Sequence, residues 1–302
     1  MRKPLFQTLS PGIKFLLSLV VIAMALVMVS GFGLQIASLI TDVDLAADGE
    51  IDYSDPATVS AIRISNTIGN LGFLIGAIVF SWLCTNQIGS YFNFKGKFKF
   101  KYLLVIILVF VLATPAGNFL SIINEMIYPG EALDEIQDTS YQVKSAMLNT
   151  TSGWTVILNI LTIALVPAVC EEVFFRGVLL RLSYQGTGKI HVGVLLSAVI
   201  FALFHFEFDN ILSITFMGVI LGYLYVYTGS ILVPILLHFL NNSIYIILSA
   251  YSSDVLSDSG SGNELIIWIV SGVGCLFLLL FLLKRSINKE GWNRMEGSLM
   301  RD

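Results

Sequence analysis

The sequence predicts an all-α, polytopic integral membrane protein: about eight transmembrane helices around a polar intramembrane cavity. Three observations lead there. Hydrophobic residues make up 56% of the 302-residue chain, and the mean hydropathy is +0.82. Charged residues make up only 13%, about half the usual share of roughly 25%, which excludes an ordinary soluble domain. Apolar runs near the length of about 20 residues that a spanning helix needs recur along the chain.

The runs fall at about 15–40, 66–88, 102–126, 154–180, 191–208, 211–227, 230–250 and 264–283. The first follows Met1-Arg2-Lys3 and is too long for a signal-peptide core of roughly 7–15 residues. With no clear small-residue cleavage site after it, it reads as a retained helix. Asn66 and Asn70 soften the second run, and Pro115 interrupts the third and should kink it. The fifth and sixth are short and almost touch, as in a tight helical hairpin. The polar stretches at about 41–58 and 127–153 read as loops. Residues 1–302 form a single integral membrane domain, without internal repeat, low-complexity stretch or appended soluble domain.

Loop charges set an orientation through the positive-inside rule. Arg2, Lys3 and Lys14 put the N-terminus in the cytoplasm. The segment Thr41 to Val59 is acidic without Lys or Arg, so it faces out. Lys95, Lys97, Lys99 and Lys101 lie inside, and the stretch with Glu131, Asp134, Glu135 and Asp138 outside. Arg181 and Lys189 are inside; Glu207, Asp209, Asp254 and Asp258 are outside. The tail with Lys284, Arg285, Lys289 and Arg294 returns to the cytoplasm. Eight spans with both termini inside satisfy every charged loop. The expected location is the plasma membrane of a bacterium.

The net charge of −4, without a basic patch or stacking motif, argues against a nucleic-acid partner. Three cysteines, Cys84, Cys170 and Cys275, lie in or beside apolar runs and read as packing residues rather than a disulfide framework.

The chemistry concentrates in one apolar run, which reads Pro167-Ala-Val-Cys-Glu-Glu-Val-Phe-Phe-Arg176. Charges at membrane depth are costly and mark function by default. Residues four apart share a helix face, whereas neighbours diverge by about 100°. Glu172 and Arg176 can therefore pair, leaving Glu171 aimed at another surface. The plainer alternative is that all three are interfacial, with Arg176 snorkelling to the headgroups. The fifth run carries Phe201-Ala-Leu-Phe-His205; a lone histidine near a helix end is more often a hydrogen-bonded packing residue. The seventh carries His238-Phe-Leu-Asn-Asn242, which puts His238 and Asn242 on one face, where they need partners or water. Pro167 and Pro234 each precede one of these polar residues by four and should bend the helix beside it. His191 sits at a helix boundary and receives no role.

Glu171-Glu172-x-x-x-Arg176, Phe201-x-x-x-His205 and His238-x-x-x-Asn242, in this order on three apolar helices, resemble the CPBP family. These are the type II CAAX prenyl endopeptidases and bacteriocin-processing or immunity proteins, also called the Abi family. The motifs cover about 154–247, the expected catalytic core. The resemblance implies an all-helical intramembrane peptidase acting on membrane-associated or lipidated peptides or proteins. It implies Glu171 as the general base, polarising a water with His205. His238 and Asn242 would stabilise the oxyanion, and Glu172 and Arg176 would fix the helix and orient Glu171. Glu171, His205 and His238 could hold one zinc ion with a position left for water, although they lack the His-Glu-x-x-His pattern. The same residues could also act without metal.

Two other readings use the same residues. One is a non-catalytic membrane scaffold or immunity factor; the other is a transporter, which the absence of inverted repeats disfavours. A geometric tension also stands. On the predicted orientation Glu171 falls towards the cytoplasmic half of its span. His205, about 21 Å along the fifth helix, falls in the outer half. The site assembles only if tilt or a deeper-lying hairpin brings them level.

Overall fold

The computed structural model describes residues 3–47, 51–92, 100–128, 134–150, 152–251, 266 and 269–277. Over these residues the regular structure is helical: α1 (Pro11–Thr41), α2 (Pro56–Cys84), α3 (Ile88–Tyr91), α4 (Lys101–Ile127), α5 (Asp134–Leu148), α6 (Gly153–Thr187), α7 (Ile190–Leu203), a 3-10 turn (Phe208–Asn210), α8 (Ile211–Thr228) and α9 (Leu232–Tyr251). Six are long and apolar enough to cross a membrane, counting α8 with its 3-10 turn. The chain is an all-α polytopic membrane protein, as its composition predicts.

The helix starts follow local chemistry. Ser10 and Asp55 cap α1 and α2 by accepting hydrogen bonds from Ile13 N and Thr58 N, and each is followed by proline at the first helical position. A proline there is pre-set for helix and loses a donor that would be orphaned anyway. This Asp-Pro start carries α2 back to residue 56, ten residues before the apolar run expected at 66. The extra turns bring Arg63 into the helix, where its Nε donates to Asn159 Oδ1 at 3.0 Å.

Other expectations need correction. The fifth span, placed at 191–208, is the helix Ile190–Leu203, only 14 residues long. At about 1.5 Å per residue it extends roughly 21 Å, short of a bilayer core of about 30 Å. The chain reverses at Phe204–Phe206, where Phe206 adopts a left-handed φ of 55°. The stretch 127–153, read as a loop, contains the polar helix α5. Pro115 lies inside an unbroken α4. Pro234 falls in the first turn of α9, where helix amides have no intrahelical acceptor, so it removes no bond. At Pro167 the backbone does depart from α geometry: Ile160–Leu165 forms a π-helical turn, with Val166 N–H donating to Leu161 O. A second π-helical turn spans Phe175–Leu180. Half of the eighth run, 264–283, lies outside the described residues; the other half, 266 and 269–277, is helical.

Helix α5 covers the tip of the α7–α8 hairpin. Lys144 Nζ pairs with Glu207 at 3.1 Å, Tyr141 donates to Asp209 Oδ1 at 2.6 Å, and Gln137 Oε1 accepts from Asp209 N at 3.0 Å. Burial, with the bond to Asp209, holds the Tyr141 phenol above its ordinary range. From the other side, Asn124 on α4 donates to Phe208 O and accepts from Leu212 N. The acids expected in a free outer loop are therefore engaged by protein.

Small residues bring α1 and α2 together. Gly69, Gly72 and Gly76 recur on one face of α2, as at close helix contacts in membranes. A Cβ at Gly72 would lie 2.9 Å from the Leu26 backbone, and one at Gly76 would lie 2.6 Å from the Ile22 side chain. A Gly72→Val substitution should lower stability by about 1–3 kcal/mol through overpacking, while Gly31→Ala, with nothing within 4 Å, should be neutral. Thermal unfolding of the detergent-solubilised variants checks both; equal melting temperatures would contradict this packing.

Candidate active site

The long helix α6 carries the two adjacent carboxylates into different surroundings. Glu172 and Arg176 are completely buried, and Arg176 Nη1 donates to Glu172 Oε1 at 2.7 Å. Arg176 Nη2 donates to Gly218 O on α8 at 3.0 Å. Gly218 packs so closely on α7 that an added Cβ would meet Ala198 at 3.0 Å. The guanidinium also lies 4.7 Å from the centroid of the Phe201 ring. An interfacial, snorkelling Arg176 is thereby excluded.

The same Glu172 oxygen receives His238 Nδ1 from α9, at 3.1 Å. A carboxylate only accepts, so His238 carries a proton on Nδ1. His205 Nδ1 lies 2.8 Å from Phe201 O, and a carbonyl likewise accepts, so His205 also has Nδ1 protonated. In their neutral forms both rings therefore keep Nε2 as the basic nitrogen. Phe201 separates and supports them, with its centroid 4.5 Å from the His205 ring and 5.6 Å from the His238 ring.

Glu171 takes the other direction around the helix. It lines a cavity of about 660 Å³ together with His205, His238 and Asn242. The four side chains singled out by the sequence thus line one cavity. Because α7 stops at Leu203, His205 sits at the hairpin tip beneath α5 rather than on a helix extending further outward. Glu171 Oε2 is buried without a hydrogen-bond partner among the described residues. Glu172 Oε2 is buried in the same way, so what distinguishes Glu171 is its place on the cavity wall.

The far walls of the cavity were less legible. Leu26, Leu34 and Ile62 form an apolar side, and Asn66, Asn70 and Lys144 add polar groups. Asn66 and Asn70 stood out as polar residues in an apolar run, and that was their only signal. Lys144 gave none, since its segment reads as a loop.

The donor chemistry suits zinc: each histidine gives Nδ1–H to an oxygen, the usual arrangement of a histidine that ligates through Nε2. Yet among the described residues no three His, Cys, Asp or Glu side chains stand close enough to share an ion. Among the described residues the arrangement is not a formed metal cage.

A polytopic helical protein with a cavity lined by a glutamate, two histidines and an asparagine is the class that fold and site define. The comparisons agree over the motif-bearing core. Residues 153–244 match the family described as type II CAAX prenyl endopeptidase Rce1-like, which bears out the resemblance read from the motifs. Among similar curated proteins, "Putative membrane peptidase YdiL" of Bacillus subtilis (strain 168) is 33% identical over 91 residues, 30% of this chain and 37% of that protein. "Uncharacterized protein YpbD" of the same organism is 30% identical over 93 residues, 30% of this chain and 44% of that protein. An "Uncharacterized 24.3 kDa protein" of Escherichia coli is 33% identical over 89 residues, 28% of this chain and 40% of its own length. Each match spans less than half of the relative. No solved structure matches at a comparable level.

Removing one partner of a buried ion pair strands the other charge. Arg176→Met should therefore cost about 3–5 kcal/mol, and the double variant Glu172→Gln/Arg176→Met less than the sum of the single losses. Unfolding of purified variants in detergent measures the coupling. Strict additivity would show that the pair is energetically idle.

Proposed function

We propose that the chain is an intramembrane endopeptidase of the CAAX-protease kind, acting through residues 154–247 and cutting peptide bonds of membrane-associated or lipidated peptides or proteins. The observation that supports this reading is the convergence of Glu171, His205, His238 and Asn242 on one cavity.

In the proposed reaction Glu171 takes a proton from a water held between it and His205, and the water oxygen bonds to the scissile carbonyl carbon. Asn242 Nδ2 donates to the developing oxyanion. His238 lines the same cavity beside Asn242, held in place by Glu172 at Nδ1. Donors preset at a developing charge are often worth about 3–4 kcal/mol each. On collapse, the proton held by Glu171 passes to the leaving amine, the carbon–nitrogen bond breaks, and Glu171 is regenerated. Glu172 acts as a positioning residue that fixes the orientation and proton placement of His238, a task added to its pairing with Arg176. The apolar wall from α1 and α2 suits a substrate with apolar side chains or a lipid tail.

Membranes from cells with and without the protein, compared for uncut precursors, identify the substrate. With that peptide, Glu171→Gln should lower turnover by about 10²–10⁴-fold, the range for loss of a general base, while the protein still inserts and unfolds at the wild-type temperature. Unchanged precursor processing would instead favour a non-catalytic scaffold or immunity role.

A further inference from the structure

Behind the two histidines lies a second, smaller cavity of about 220 Å³, bounded by α4, the hairpin tip, α8 and α9. It shares Lys144, His205, Glu207, His238 and Asn242 with the larger cavity, but Glu171 lines only the larger one. The histidines therefore form a common wall, with the base on one side only.

The walls of the small cavity that it does not share are unusually polar for the middle of an apolar bundle. Asn118 from α4, Ser213 from α8 and Asn241 from α9 face it. Their side chains make no hydrogen bond to another described residue. A primary amide offers two donors and two acceptor sites, and leaving these dry at membrane depth is costly. Thr114 and Asn118 line it from α4, and Lys144, Glu207 and Asn210 line its polar end at the hairpin tip. One water needs only about 10–15 Å³ of such space and two to four polar partners, and this cavity offers both several times over.

We propose that the small cavity is a water-filled passage that supplies hydrolytic water to the histidines, by a route separate from the groove that receives the peptide. The inference rests on the peptidase reading. Hydrolysis consumes one water per bond, and a peptide seated against Glu171 fills the large cavity and blocks entry from that side. The passage reaches the same histidines from behind and can deliver the next water while the groove is occupied.

The test is cysteine accessibility in permeabilised membrane vesicles, with Cys84, Cys170 and Cys275 replaced by alanine and retention of cleavage confirmed. Asn118→Cys, Ser213→Cys and Asn241→Cys are each treated with a charged, water-soluble methanethiosulfonate, which reacts with the thiolate that only a wet site provides. Leu104→Cys, on the exposed apolar face of α4, is the dry control. The three thiols should react more than an order of magnitude faster than the control. In a Glu171→Gln background they should keep those rates when the substrate peptide saturates the groove. Rates no faster than the control, or protection of all three by the peptide, overturn the passage. The two readings fail differently. Silent thiols beside Glu171-dependent cleavage remove the passage alone, whereas absence of Glu171-dependent cleavage removes the peptidase and with it the supply role.

Discussion

The buried contact among Glu172, Arg176 and His238 is the constraint around which the rest of this molecule is arranged. Arg176 and Glu172 have no exposed side-chain surface, and an isolated charge in such a place would be prohibitive. One carboxylate oxygen accepts from both the guanidinium and the imidazole, and the guanidinium also reaches a backbone carbonyl on α8. Four elements are tied by this cluster: α6, which supplies both charges; α9, through His238; α8, through Gly218; and α7, through the Phe201 ring beneath the cation. In a bilayer, where apolar packing alone scarcely discriminates one helix arrangement from another, polar contacts of this kind give the bundle its register.

That register is what separates two chemically identical neighbours. Glu171 and Glu172 differ by one position and about 100° of helix. Glu172 turns into the protein, where it is neutralised and holds a histidine; Glu171 turns to the wall of a cavity. Adjacent carboxylates given different surroundings can take different tasks, one structural and one reactive. The π-helical turns on either side of the doublet, at Ile160–Leu165 and Phe175–Leu180, widen the helix where the charged residues must be accommodated, a frequent setting for functional sites.

The hairpin of α7 and α8 delivers His205 by stopping short. Close glycine contacts, Gly218 on Ala198 and Gly222 on Val194, let the two helices approach, and α5 closes over their tip with an ion pair and two hydrogen bonds. A full-length fifth span would have carried His205 away from α6. The shortened one leaves it on the wall of the cavity that Glu171 also lines, with its proton placement set by the Phe201 carbonyl.

Composition and helical spacing alone determined much of this protein. The helical class, most of the spans, the pairing of Glu172 with Arg176 and the divergence of Glu171 all follow from hydropathy and a 3.6-residue period, because a membrane helix satisfies its backbone locally. What only the tertiary structure decided involves partners distant in the chain. Glu172 and His238 are 66 positions apart, and no local pattern links them. The stop at Leu203 was hidden because Phe204, Phe206 and Phe208 continue the apolar run past the reversal. Helix α5 was hidden because its polar sequence is held by contacts to Glu207 and Asp209 rather than by an apolar stripe. The second cavity exists only once α4, α8 and α9 are assembled, since a space between helices belongs to none of them.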